Sequence, residues 1–350
     1  MNSPAATSAI SNSDSDDNAQ DRTPSEQADV CIVGAGPAGA LIAYRLANQD
    51  LDVVILEAGP EFSDADRLTQ QEQHIRPGMS DPWKMGGQRD AYTTAGRGYP
   101  LNAARVKGVG GSTLHWQGMV MRLHKRDFEM KSRYDVGVDW PIDYTDLRPY
   151  YAAAESALGV AGAMDNPYAP PRETSHPLPA FPPSHSDSLF APACETLGID
   201  MHSVPNARNS ERYDGRAACQ GYGTCKPVCP SGAKYTAESH IQKARSAGAH
   251  IIDQAPVQRL VHGDTGKAVK KAVYMTPDGT EYHQSAQRFV LACGGVENAR
   301  LLLLSQSDQH PDGLANTSGA VGRFFTDHLF AGVGGQLDEP TRQNHVGFNT

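Results

Sequence analysis

Apolar positions along this chain fall into short runs, and their spacing changes character several times. From residue 29 to 57 the pattern predicts a buried strand (Asp29 to Gly34) and a helix (Pro37 to Asn48, apolar at Ala38, Leu41, Ile42 and Leu46). A second strand follows, from Leu51 to Glu57. That is one βαβ unit. Residues 60–105 are polar and irregular, with glycines at Gly86-Gly87 and around Arg97. The stretch from Lys107 to Met121 starts glycine-rich and turns apolar. Seven prolines between Pro167 and Pro183 predict an extended connection over the surface. Helices are expected over Ser188 to Leu197, Glu238 to Ala247 and Val296 to Ser305. Strands are expected over His250 to Gln254, Val257 to His262, Val269 to Thr276 and Glu281 to Ala292, with Pro277-Asp278-Gly279 as a hairpin turn. The expected fold class is α/β: a Rossmann-like domain assembled from discontinuous segments, with a partial α+β domain beside it.

Composition narrows this picture. The chain has 350 residues, of which 34 are glycine and 24 proline, so it is loop-rich and not a helical bundle. No apolar stretch approaches the roughly 18 residues of a membrane helix. Much of the net charge of −9 lies in the first 29 residues, which hold six acids and one base. Residues 1–27 are therefore expected as a disordered acidic tail. They have neither the basic and apolar regions of a secretory signal nor the Arg-rich character of a transit peptide. The remaining body is nearly neutral and has no basic block, so nucleic acid is not an expected partner.

Gly34-Ala35-Gly36-Pro37-Ala38-Gly39 is G-x-G-x-x-G between a strand and a helix, and Glu57 closes the second strand. Gly34 permits the tight turn, Gly36 lets the backbone approach a pyrophosphate, and Gly39 lets helix and strand pack closely. The helix N-terminus offers amide donors to the phosphates. Glu57 would accept hydrogen bonds from an adenosine ribose. The spacing leaves FAD and NAD both open.

Three further segments carry a resemblance. They are Lys107-Gly108-Val109-Gly110-Gly111-Ser112-Thr113-Leu114-His115-Trp116, Ala292-Cys293-Gly294-Gly295-Val296-Glu297-Asn298-Ala299-Arg300, and Gly322-Arg323-Phe324-Phe325-Thr326-Asp327-His328. With the first motif, they make residues 28–330 resemble the glucose–methanol–choline (GMC) flavoprotein oxidoreductases. The resemblance, with Pro37 and Glu57-Ala58-Gly59, favours FAD. It implies a cofactor set of Gly34, Gly36, Gly39, Glu57, Ala58, Gly59, Gly108, Gly110, Gly111, Ser112, His115, Val257 and Gly294. In related sugar-oxidising members a His-Trp after the glycine loop carries the flavin covalently, and His115-Trp116 stands in that register. A His that only contacts the ring is the alternative.

Cys219, Cys225 and Cys229 form C-x5-C-x3-C-P in a loop rich in glycine and proline. The residues alone leave three readings open: iron–sulfur, zinc with His240 or Cys194 as fourth ligand, or one disulfide with a free thiol. The loop, with Ala233-Lys234 after it, is similar to the cluster loop in the flavoprotein subunits of bacterial glucose, gluconate and sorbitol-type dehydrogenases. That likeness implies a [3Fe–4S] cluster. Cys31 and Cys293 are expected as small buried residues and Cys194 as core. His124, His176, His185, His202 and His310 are expected exposed in polar loops. Neither G-x-S-x-G nor H-E-x-x-H occurs.

The resemblance implies oxidation of the CH–OH group of a sugar, polyol or aldonic acid. Electrons would pass through the cluster to a cytochrome or quinone, in company with a small partner subunit and a cytochrome c subunit. The family's catalytic pair, a His with a second His or an Asn, lies far downstream. After residue 330 the sole histidine is His345, at a position that does not match, so no catalytic base is assigned. A truncated, non-catalytic FAD-binding fragment is the second expectation and an NAD-linked reductase the third. The compartment stays open between cytoplasm and periplasm, or membrane association through a partner. The expected layout is a tail at 1–27 and cofactor-domain parts at 28–125 and 236–330. Residues 126–235 form a substrate or cap region between those parts, and a truncated substrate domain starts at 331–350.

Overall fold

The computed structural model describes residues 22–63, 90–95 and 100–327, with isolated positions 65, 66, 68, 69, 72, 98 and 338. The expectations for residues 1–21, Gly86-Gly87, Gly96-Arg97, His328 and His345, and for 331–350 apart from Asp338, fall outside the described residues.

A six-stranded sheet organises the molecule, in the order β5-β2-β1-β8-β7-β6. Its strands are β1 (Ala28–Val33), β2 (Val53–Leu56), β5 (His250–Ile252), β6 (Val257–His262), β7 (Val269–Met275) and β8 (Glu281–Leu291). β1 pairs in parallel with β2 and β8, and β2 with β5. β6, β7 and β8 form an antiparallel meander. β8 belongs to both halves: residues 281–285 pair with β7, and Ala286 to Leu291 pair with β1. β3 (Ala161–Gly162) and β4 (Leu178–Pro179) make a separate two-residue pair.

The continuous apolar runs of β1 and β2 follow from burial on both faces. Val30, Ile32, Val53 and Ile55 face α1 (Pro37–Ala47) and a later helix, Glu238–Ser246, through Ala40, Ala43, Ile241 and Ala244. Cys31, Val33, Val54 and Leu56 face the opposite core with Leu260, Ala272, Tyr274 and Leu301. α1 begins at Pro37, whose fixed φ suits a first helical position.

Residues 126–235, expected as a substrate or cap region, hold a helix that the apolar pattern did not announce, α2 (Tyr144–Leu158). Asp143 caps it, accepting from Thr145 N and Asp146 N, and Gly159 ends it in the left-handed conformation. α3 (His185–Thr196) starts earlier than expected because Ser184 and Asp187 form a capping box. α3 buries none of its residues, so Cys194 is half-buried and not core. The later helices are α4 (Glu238–Ser246) and α5 (Gly295–Leu304).

The tail expected over 1–27 ends sooner. Arg22 pairs with Asp253 at 3.0 Å, Tyr274 donates to Arg22 O at 2.6 Å, and Ser25 N donates to Gln284 Oε1 at 3.0 Å. The lone base of the acidic stretch finds a buried carboxylate and fixes residues 22–27 against the sheet. Among the described residues no helix is long and apolar enough to cross a membrane.

Candidate functional site

Parallel strands place their carboxyl ends side by side, and the glycine motifs converge there. Gly34 follows β1 at φ +104°, and a Cβ on it would meet Ala292 O at 2.7 Å. A Cβ on Gly39 would lie 2.0 Å from Gly34 O, so α1 and β1 pack at a distance that excludes any side chain. Gly36 differs. It adopts φ −75°, and a Cβ there would meet nothing within 4 Å. The second glycine loop closes on this opening: Gly110 N donates to Ala35 O at 3.0 Å, and a Cβ on Gly111 would lie 3.0 Å from Gly36 Cα. Gly59 approaches Lys107 more closely still, and a Cβ on it would lie 2.3 Å from the Lys107 carbonyl. Gly294 opens α5 with open space at its Cβ position. Neither α1 nor α5 has a side-chain N-cap, so their first-turn amides are left to a ligand or solvent.

Glu57 is buried at the centre. Its Oε2 accepts from Ala35 N at 2.8 Å and its Oε1 from Gly59 N at 2.9 Å. The carboxylate thus joins two of the loops. With about four lone-pair sites it retains capacity for a ribose hydroxyl. Burial pushes its pKa up, against the opposing pull of main-chain donors from Ala35, Gly59, Ala58 and Gly108. Ser112 Oγ accepts from Val106 N at 3.2 Å. Thr113 Oγ1 donates to Gly110 O and accepts from Ala237 N, which docks the loop on the start of α4. Val257 buries its side chain in the core, so any contact with a cofactor would be through its main chain. These residues fit a dinucleotide: open Cβ positions at two helix starts, glycine approaches between two loops, and a carboxylate beside them.

His115 follows the 3₁₀ turn Gly111–Leu114 and is buried. An open cavity of about 210 Å³ lies beside it, lined by Ala103, Ala104, His115, Trp116, Gln117 and Lys226. Trp116 Nε1 donates to Tyr235 O at 2.8 Å.

The cysteine loop does not meet the expectation of a metal centre. Cys225 is buried and accepts from Arg208 Nη1 at 3.2 Å. Cys219 Sγ accepts from Gly221 N at 3.4 Å, and Cys229 Sγ lies 3.6 Å from Ser231 Oγ. All six cysteines are free thiols, which removes the disulfide alternative from this structure. Among the described residues no group of three or more His, Cys, Asp or Glu converges as a metal site. The zinc alternative fails on the same ground, and His240 Nδ1 is 2.8 Å from Tyr235 OH. Spacing brought the three sulfurs into one loop, but each is held by a different local partner. Burial pushes the thiols of Cys31 and Cys293 up to about 12.

Two charged assemblies escaped the sequence reading. Lys234 is enclosed with its ammonium among main-chain carbonyls, and burial lowers its pKa to about 8. Against α2, Arg122 Nε and Nη2 grip Glu155 at 2.8 and 2.9 Å, and Arg172 Nη2 joins at 2.6 Å. Arg172 Nη1 is 2.8 Å from His176 Nε2. His176 is therefore buried, not exposed as expected. Burial, then the Arg172 charge, holds its pKa below the ordinary value. The cap of α2 at Asp143 was the one local signal that could have exposed this network.

Comparison with known proteins agrees with this geometry. A family model described as GMC oxidoreductase matches residues 32–330. The fructose dehydrogenase large subunit of Gluconobacter japonicus is 34% identical, with 89% of this chain and 60% of that protein covered. The 2-methyl-1,2-propanediol dehydrogenase of Mycolicibacterium austroafricanum is 31% identical, with 88% and 56% covered. The chain thus spans less than two thirds of the length of these relatives. In solved structures, a formate oxidase superposes with a TM-score of 0.55 at 18% identity, covering 81% of this chain and 48% of its own, a likeness of fold.

Proposed function

The chain belongs to the GMC oxidoreductases, and on that premise we propose a FAD-dependent dehydrogenase that oxidises the CH–OH group of a sugar, polyol or aldonic acid. The observation that carries this reading is the glycine cradle at the ends of β1, β2 and β8. At Gly36 and Gly294 its opening leaves room for a ligand beside two helix starts. Bound FAD supplies a two-electron acceptor for hydride from a carbinol carbon. In this reading α1 and Gly36 hold the pyrophosphate, Glu57 faces the adenosine ribose, and Val257 and Gly294 border the adenosine half. The main chain of Gly108 to Ser112 lies against the flavin half, and His115 anchors or contacts the ring. The sugar and diol named for the two relatives support the substrate class.

The visible spectrum of the purified chain, before and after acid precipitation, tests the proposal. A flavin band is expected, and a colourless protein that takes up no added FAD overturns it. Flavin retained in the pellet assigns His115 as a covalent anchor, while release to the supernatant leaves it a contact. Electron exit to a cytochrome or quinone with further subunits is the finer proposal, supported by a relative named as a large subunit. An iron–sulfur cluster rests on the cysteine spacing and on the cations Arg208 and Lys234 beside it. Among the described residues the three sulfurs do not converge as a metal site, and no step is routed through a cluster. Iron and acid-labile sulfide analysis checks that point.

A further inference from the structure

The cysteine loop and the flavin loop meet on one buried ammonium. Lys234 is 1% exposed. Its Nζ donates to Leu114 O at 3.0 Å, to Trp116 O at 2.9 Å and to Cys225 O at 2.5 Å. An ammonium has three N–H donors, and here all three are used. Leu114 and Trp116 are the two neighbours of His115, so the cation grips the chain on both sides of that residue. The third acceptor lies in the other loop. Charge-assisted hydrogen bonds are stronger than neutral ones, and no rotation of the ammonium replaces a carbonyl that moves away.

Packing ties the same segments together. Val228 and Leu114 share one buried apolar cluster, with Phe62 and Val106 against it. Lys226, next to Cys225, lines the cavity that His115 and Trp116 line. Lys234 is itself fixed from behind: Asn209 N donates to Ala233 O at 3.0 Å, and Tyr235 N to Ala207 O at 2.8 Å.

We infer that Lys234 is a positioning residue, whose ammonium fixes the peptide groups flanking His115 and locks the cysteine loop to the flavin loop as one unit. The inference rests on the flavin reading above. It means that a change at residues 225–229 alters how His115 is presented to the ring, and that cofactor binding is felt in the cysteine loop.

Hydrogen exchange of the purified chain, with and without FAD, tests this after flavin uptake has been measured by fluorescence quenching. In the natural chain FAD should slow exchange at 225–229 by about threefold or more, although these residues are not part of the glycine cradle. In Lys234→Met, FAD should still protect 34–39 and 108–113, while the response at 225–229 disappears. The inference is overturned if a flavin-loaded natural chain shows no response at 225–229, or if Lys234→Met responds equally. Should Lys234→Met not fold, the response of the natural chain decides alone. Absence of flavin uptake overturns the flavin reading and takes this inference with it; uptake without the response overturns the inference alone.

Discussion

At the glycine cradle the contacts are made by main chain: Gly39 against Gly34, Gly111 against Gly36, Gly59 against Lys107. Between Met119 and Tyr235, in and just before the expected cap, they are made by long charged side chains: Arg122 and Arg172 on Glu155, Arg208 on Cys225, Lys234 on three carbonyls. The first region is specified by what its residues lack, and the second by what they reach. The two should therefore fail differently. A side chain added to the cradle either has no room or lies in the ligand's place. A charge removed from the cap leaves its buried partners unpaired.

The largest effect is expected in the cap. Glu155→Ala strands Arg122 and Arg172, both nearly buried, and should cost about 3–5 kcal/mol in thermal or urea unfolding. A loss below about 1 kcal/mol would remove the contrast. In the cradle, Gly39→Ala forces a Cβ onto Gly34 O and should cost about 1–3 kcal/mol, with flavin binding lost alongside. Gly36→Ala sharpens the comparison. Its Cβ meets no protein atom, so melting should be unchanged while flavin affinity falls about tenfold, or about 1.4 kcal/mol, in a fluorescence titration. Equal losses of stability at Gly36 and Gly39 would show that the opening is not a ligand site. Asp143→Ala removes the α2 cap and should cost about 1 kcal/mol, read as a lower melting temperature with flavin uptake unchanged.

Acid should separate the two regions as well. Glu155 is held below its ordinary 4.5: burial alone would raise it, but Arg122 and Arg172 prevail. His176 lies below its ordinary 6.5, chiefly through burial and then Arg172. For both groups the folded pKa is depressed. Their contribution to stability is present above the ordinary values and is lost as pH falls through the folded ones. Glu57 has the opposite sign, since burial raises it, and its contribution is lost as pH rises. Between pH 7 and 5, exchange corrected for intrinsic rates should accelerate over 144–176 and not over 28–59. Parallel acceleration in both would contradict this assignment.

The same contrast explains what could be read from the sequence. The βαβ unit, Glu57 and the glycine positions were legible because each depends on its own neighbours: an apolar period, a turn, a missing Cβ. The antiparallel strands from Val257 to Leu291 were legible for the same reason, with Pro277-Asp278-Gly279 between two of them. α2 was hidden because Pro149 lies inside it, where a proline argues against a helix, and its apolar positions are largely Tyr and Ala. Of the Arg122–Glu155–Arg172–His176 network, the sequence offered one local signal, the Asp143 cap of α2, and none for the pairing itself. Nothing in the spacing of those residues says that α2 and the proline-rich connection face each other. The cysteines fall between these cases. Their spacing placed them in one loop, while the direction of each sulfur was set by Arg208, Gly221 and Ser231.

β8 has a consequence for how the chain is made. Of the strands described, its partner β1 is the first to leave the ribosome and β8 the last. Through most of synthesis the central strand of the cradle has one neighbour and one bare edge, the exposure that invites mispairing with other chains. Synthesis that stops before Ala286 leaves that edge open for good, even with both early glycine motifs complete.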